Sequence, residues 1–178
     1  SDRIVRSLSL MKLELLSNFQ FKLLLGRIVK PRIIALDIGS QSTGVAIPVT
    51  NEIGIRTSSV DSVPPNNKVQ QITTDNTFYN TLKQIVEKEK VSGIVIGKTH
   101  YHDSIERNNV AMTRLANYVK LPYTEVDEES STIEATDLLL NFQRAIGRTG
   151  HLHKQKDLKD GIASMIILQR FLNYYNKK

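Results

Sequence analysis

The sequence predicts an α/β domain built on one mixed, five-stranded sheet, with an amphipathic helix ahead of it. Three observations carry this expectation. Short apolar stretches at Ile33–Ile38, Val45–Val49 and Ile53–Val60 follow one another through tight connections, which reads as an antiparallel meander. Further on, apolar strands at Val91–Gly97 and Tyr123–Val126 alternate with helical stretches, which requires parallel strands beside the meander. A length of 178 residues, with 40% hydrophobic and 24% charged, suits one domain with an ordinary core.

The first 30 residues differ in texture from the rest. Ser1–Lys30 carries Arg3, Arg6, Lys12, Lys22, Arg27 and Lys30, and its apolar residues Leu13, Leu16, Phe19, Leu23 and Leu24 recur at helical intervals. Three readings fit this extension. It is a remnant of an organellar targeting segment, which points to a mitochondrion or plastid rather than the cytoplasm. It is a docking helix whose apolar stripe needs a protein partner. Or it is a helix packed on the domain's own core. Pro31 ends it, so the chain divides into an extension, 1–30, and a domain, 31–178.

Within the domain, Gly39 to Gly44 reads as a polar turn between the first two strands. Ser62 to Thr74 holds Pro64, Pro65, Asn66 and Asn67 and reads as a loop. Asp75 to Lys90 places Phe78, Leu82, Ile85 and Val86 on one helical face. Ser104–Lys120 reads as a helix with Ala111, Leu115 and Tyr118 inward. Ser131 and Glu134 have the spacing of a capping box at the start of a helix reaching about Gln143. Arg144–Lys159 is polar and basic and reads as a loop. Asp160–Tyr175 closes the chain as a helix apolar on most sides, hence largely buried. The order β-β-β-α-β-α-β-α-α is the architecture of ribonuclease H-like domains.

Composition narrows the function classes. The net charge is +6 and the pI about 9.5. Such a surface suits a polyanionic partner, and nucleic acid is the commonest one. The absence of cysteine excludes disulfides, thiolate zinc sites and a cysteine nucleophile. No apolar run is long enough to span a bilayer. With 6% aromatics and no Trp, no base-stacking platform is evident. Gly97-Lys98-Thr99 echoes the end of a P-loop, but Ser92 stands where the first glycine belongs and a strand stands where the loop should be.

Chemistry concentrates in the acids. Asp37 lies inside the apolar run Ile33-Ile34-Ala35-Leu36-Asp37-Ile38. An ionised carboxylate there costs several kcal/mol, roughly, unless a cation or hydrogen bonds compensate. Metal ligation is one compensation, and a bond to the turn Ser40–Thr43 is another. Gly39 would let a phosphate or metal approach the backbone. Asp127 and Glu128 end the last strand, at the carboxyl edge where α/β sheets gather their chemistry. Alone, they equally suit the N-terminus of the following helix. Asp160, alone, reads as an N-cap. His100, His102 and Asp103 follow a strand and read as a solvated loop, and His151, His153, Lys154 and Lys156 form a basic cluster suited to phosphate.

The motifs resemble those of the YqgF/RuvX family, ribonuclease H-like proteins described as pre-16S rRNA nucleases or Holliday-junction resolvases. Leu36-Asp37-Ile38-Gly39-Ser40-Gln41-Ser42-Thr43-Gly44-Val45-Ala46 is similar to the family's first motif. Val95-Ile96-Gly97 is similar to its fourth strand. Asp127-Glu128-Glu129-Ser130-Ser131-Thr132-Ile133-Glu134-Ala135 and Lys159-Asp160-Gly161-Ile162-Ala163-Ser164-Met165-Ile166-Ile167-Leu168 resemble its two later motifs. The resemblance runs from about Arg32 to the end. It implies that Asp37, Glu128 and Asp160 are metal-binding catalytic acids, which lifts Asp160 from cap to ligand. Hard oxygen donors without cysteine favour Mg²⁺ or Mn²⁺. Two departures stand beside the site: Glu129 replaces the family's arginine, and Gln41 its usual basic residue.

The expectation is therefore a metal-dependent nuclease of structured RNA, in rRNA maturation. Lys98, Arg107, Arg148, Lys154 and Lys156 are the candidate phosphate contacts. Glu129, Gln41 and the unexplained extension motivate an alternative, an inactive RNA-binding assembly factor or ribonucleoprotein subunit. A DNA four-way junction resolvase is a further alternative. A sugar-kinase or actin-like ATPase is disfavoured, because those proteins need two such domains.

Overall fold

The computed structural model describes residues 15–48, 67–127 and 152–175; residues 67–73, 152–160 and 162 are described by backbone alone. The elements run β1 (Leu15–Leu16), α1 (Asn18–Leu25), β2 (Ile33–Ile38), β3 (Ser42–Pro48), β4 (Asn67–Thr73), α2 (Phe78–Glu89), β5 (Gly93–Lys98), α3 (His102–Leu115), β6 (Tyr123–Asp127) and α4 (Leu152–Tyr175). The sheet order is β1-β6-β5-β2-β3-β4. β2, β3 and β4 pair antiparallel, while β2, β5 and β6 pair parallel. This mixed sheet is ribonuclease H-like, as the element order predicts. The two-residue β1 adds a sixth strand, parallel to β6 at its outer edge.

Strand alternation divides the core. The even positions of β2, Ile34, Leu36 and Ile38, face α2 and α3, meeting Phe78, Leu82, Ala111 and Leu115. The odd positions, Ile33 and Ala35, face α1 and α4, with Ala46, Val95, Val126, Ile167 and Phe171. Both faces of β2 and β5 are covered, so their apolar residues read as continuous runs rather than alternating ones.

Three expectations need correction. The third meander strand is β4 at Asn67–Thr73, inside the stretch read as a loop. It pairs with β3 from Ser42↔Thr73 to Pro48↔Asn67. It was illegible because an edge strand carries few apolar residues, and only pairing defines it. The earlier candidate, Ile53–Val60, lies outside the described residues, as does the helix at Ser131–Gln143. Second, α4 starts at Leu152, not Asp160. The stretch from Leu152 to Lys159 has no Pro or Gly and is rich in helix formers, so its polarity did not make it a loop. Third, α3 ends at Leu115, and Tyr118 beyond it is 41% exposed rather than inward.

Residues 15–30, the described part of the extension, pack on the domain's own core. Ser17 caps α1 through a capping box with Gln20. The buried face of α1 is Phe21 and Leu25, whereas Phe19 and Leu23 of the expected stripe are exposed. Phe21 meets Phe171 edge-on at 5.3 Å. Gly93 opens β5 for it: a Cβ there would lie 2.6 Å from the Phe21 ring. Thr124 ties the segment to β6 by donating to the Leu16 carbonyl at 2.9 Å. Opposite the carboxyl edge of the sheet, Arg32 pairs with Glu89 at 2.7 Å, joining β2 to the end of α2.

Because Phe21 is 0% exposed and Phe19 is 62% exposed, their truncations separate. Phe21→Ala should cost about 3–5 kcal/mol in urea unfolding, and Phe19→Ala less than about 0.5 kcal/mol. Equal losses would show that α1 does not pack as described.

Candidate functional site at the carboxyl edge of the sheet

Parallel pairing carries the carboxyl ends of β2, β5 and β6 to one edge. Leu36↔Ile96 is the last register pair between β2 and β5, and Lys98↔Asp127 the last between β5 and β6. Asp37, Lys98 and Asp127 are therefore the outermost residues of three adjacent strand ends, or one short of it. Ligands of α/β sheets bind at such an edge.

Asp37 is half-buried and, by alternation with Ile33 and Ala35, belongs to the face covered by α4. Its partner across β3 is Gly44. Continuing the β2–β5 register by one residue sets Gly97 on its other side. On the sheet the carboxylate is thus flanked by two residues without side chains. Gly39 has a different task from the one expected of it. Its N–H donates to the Ser42 carbonyl at 3.0 Å, and a Cβ on it would stand 2.3 Å from that oxygen. Gly39 closes the hairpin turn. Gln41 is exposed at the tip, and its carbonyl accepts from Thr74 N–H at 2.8 Å.

Asp160 lies nine residues into α4, so it is not an N-cap. Its side chain is not described. The following Gly161 is buried, and its carbonyl accepts from Ser164 Oγ at 2.6 Å. Glu128 directly follows Asp127 and lies outside the described residues, as do Glu129 and Arg148. Among the described residues no three His, Asp or Glu side chains cluster as metal ligands, and Asp37 alone of the three acids has a described side chain. The donor chemistry fits Mg²⁺ or Mn²⁺: a carboxylate near a strand end, flanked on the sheet by glycines, and no thiolate anywhere in the chain.

On the opposite face of the same edge stands a second group that sequence reading underrated. Lys98 is exposed and neighbours Asp127 across the β5–β6 pair. His100 Nε2 is 3.3 Å from Asp127 Oδ1, with both side chains more than half exposed. Asp127 therefore engages His100 from the turn after β5. His102 and Asp103 are exposed, but they open α3 rather than lying in the solvated loop expected of them. Arg107 donates to Ser104 Oγ at 3.2 Å and lines a groove of about 470 Å³ with Thr74, Tyr79, Asp103 and Glu106. Those two acids offset its charge. Asn108 supports the floor of the edge: it is buried and donates from Nδ2 to the Gly97 carbonyl at 3.1 Å. Lys154 and Lys156 lie in the first turns of α4, and their side chains are not described. The His100–Asp127 contact spans 27 residues, so only the pairing of β5 with β6 reveals it.

Near Asp75, Thr77 supplies two hydrogen bonds to one carboxylate oxygen, at 2.8 and 2.6 Å, and these hold its carboxyl below the usual range. This is a helix-entry feature, remote in role from the strand ends.

Comparison with known proteins places the chain. Residues 31–174 match the RuvX family, described as Holliday junction resolvase. A Lactobacillus acidophilus protein described as "Putative pre-16S rRNA nuclease" is 32% identical over 155 residues, 82% of this chain and 99% of that one. An Oenococcus oeni protein of the same description is 32% identical over 83% of this chain and 95% of its own length. One from Dictyoglomus turgidum is 29% identical over 80% of this chain and 94% of its own length. Among solved structures, T. thermophilus RuvC in complex with Holliday junction substrate aligns over 75% of this chain and 91% of that chain, with a TM-score of 0.40 and 7% identity. With a family match spanning most of the domain and relatives near one-third identity along their whole length, the chain belongs to the RuvX family of nucleases.

Proposed function

We propose that this protein is a divalent-metal-dependent phosphodiester hydrolase that cuts structured RNA during rRNA maturation, with Asp37, Glu128 and Asp160 as its metal-binding acids. The observation that carries the reading is Asp37: a half-buried carboxylate at the end of an otherwise apolar strand, flanked by Gly44 and by the position of Gly97. A carboxylate at that place, at the carboxyl edge of the sheet and in the family's first motif, is a hard oxygen donor of the kind Mg²⁺ and Mn²⁺ take. Asp37, Glu128 and Asp160 would hold Mg²⁺ or Mn²⁺, which when bound would supply an activated water and charge stabilisation for phosphodiester hydrolysis. The chain's own residues hold and orient. The main chain of Asp37 is held by its pairing with Gly44 of β3, so the strand that carries the carboxylate is already in place. Lys98, exposed at the end of β5, neutralises backbone phosphate.

Structured RNA is preferred over a DNA junction because the full-length relatives at 29–32% identity carry the rRNA description. Glu129 and Gln41 keep a second outcome measurable, an RNA-binding assembly factor that does not cleave. A side-by-side assay on precursor rRNA and four-way DNA, with Mn²⁺, separates the three. Preferential RNA cleavage supports the proposal. Preferential junction cleavage, or RNA binding without cleavage, overturns it.

Asp37→Asn should lower cleavage by about 100-fold or more, since a lost ligand removes several kcal/mol of transition-state charge stabilisation. It should leave RNA affinity at low metal nearly unchanged. A variant as active as wild type would remove Asp37 from the site. Lys98→Ala should weaken RNA binding across sequences and reduce the slope of log affinity against log salt by about 1. An unchanged slope would show that Lys98 makes no phosphate contact.

A further inference from the structure

Where α4 meets β6, Arg170 donates from Nη1 to the main-chain carbonyl of Asp127 at 2.7 Å. Asp127 closes β6, and its carbonyl belongs to the peptide unit that leads into Glu128. A peptide unit is planar. A bond that fixes this oxygen therefore fixes the plane through which the chain enters Glu128. The same residue is held from a second element, since Asp127 Oδ1 lies 3.3 Å from His100 Nε2. Arg170 is on the same uninterrupted helix as Asp160, about 15 Å along it at 1.5 Å per residue.

Apolar packing already holds α4 to the sheet. Ala163, Met165, Ile167, Leu168, Phe171 and Leu172 are all buried, and most share a cluster with Ile33, Ala35 and Val95. Such packing is non-directional and does not by itself set how far a helix is advanced along a strand. A charge-assisted hydrogen bond to one named carbonyl does. We infer that Arg170 is a positioning residue: by pinning the Asp127 carbonyl to α4, it sets the helix that carries Asp160 against the strand that delivers Glu128. The inference rests on the reading of Asp37, Glu128 and Asp160 as metal-binding acids.

The test is Mn²⁺ titration by calorimetry on the full chain, comparing wild type with Arg170→Met and Arg170→Lys, beside thermal unfolding without metal. Loss of an outer-shell support costs about 10–100-fold in metal affinity. Arg170→Met should bind Mn²⁺ weaker by that factor while unfolding cooperatively near the wild-type temperature. Arg170→Lys, which keeps a cationic donor, should recover part of the loss. If wild type binds Mn²⁺ and Arg170→Met binds it within twofold of wild type, the positioning role is overturned alone. If Arg170→Met loses its fold, the tie serves stability and the positioning role is likewise overturned. If wild type binds no Mn²⁺ at all, the metal reading of the acids fails, and this inference with it.

Discussion

Parallel pairing of β2, β5 and β6 is the constraint from which the rest of the molecule follows. The register runs from Ile33↔Gly93 to Leu36↔Ile96 on one side and from Ile94↔Tyr123 to Lys98↔Asp127 on the other. Strands that run the same way need crossovers, and those crossovers lay helices on a face of the sheet. That covering buries Ile34 and Leu36, while α1 and α4 bury Ile33 and Ala35 on the other face, so all four are fully buried although they alternate. The same parallel direction brings three carboxyl ends together. Without it Asp37, Lys98 and Asp127 would sit at unrelated places on the surface.

The second face depends on how the chain closes over it. α4 crosses the sheet with its buried side against Ile33, Ala35, Ala46 and Val95. The extension completes that layer. Phe21 enters between Gly93 and Phe171, a gap that exists only because β5 begins with a glycine. Lys22 lies 5.6 Å above the Tyr174 ring, so the polar side of α1 also meets the end of α4. The exposed residues Leu15, Phe19 and Leu23 remain on the outside of this layer. The apolar residues of the extension are thus shared between core and surface, and helical spacing by itself did not say which were which.

Local chemistry at the carboxyl edge shows the two kinds of glycine that such a site requires. Gly39 is there because the Ser42 carbonyl leaves no space for a side chain. Gly44 and Gly97 flank Asp37 by register. Asn108 and Arg170 extend the arrangement outward, each donating to a main-chain carbonyl of β5 or β6 near its end.

By itself the sequence determined the α/β class, the five principal strands' general order, the family motifs and the place of Asp37 inside an apolar strand. Those are properties of local periodicity and of one charge in an apolar run, which neighbouring residues suffice to define. It did not determine where β4 lies, because Asn67–Thr73 becomes a strand by pairing with β3 rather than by its own apolarity. Nor did it locate the start of α4, which moved Asp160 from a helix cap to the interior of a helix. The buried face of α1, the His100–Asp127 contact and the Arg170 tie were decided by tertiary structure alone. Their partners are tens of residues apart or more: the pairing of β5 with β6 brings His100 to Asp127, and the stacking of α1 and α4 on the sheet makes the other two.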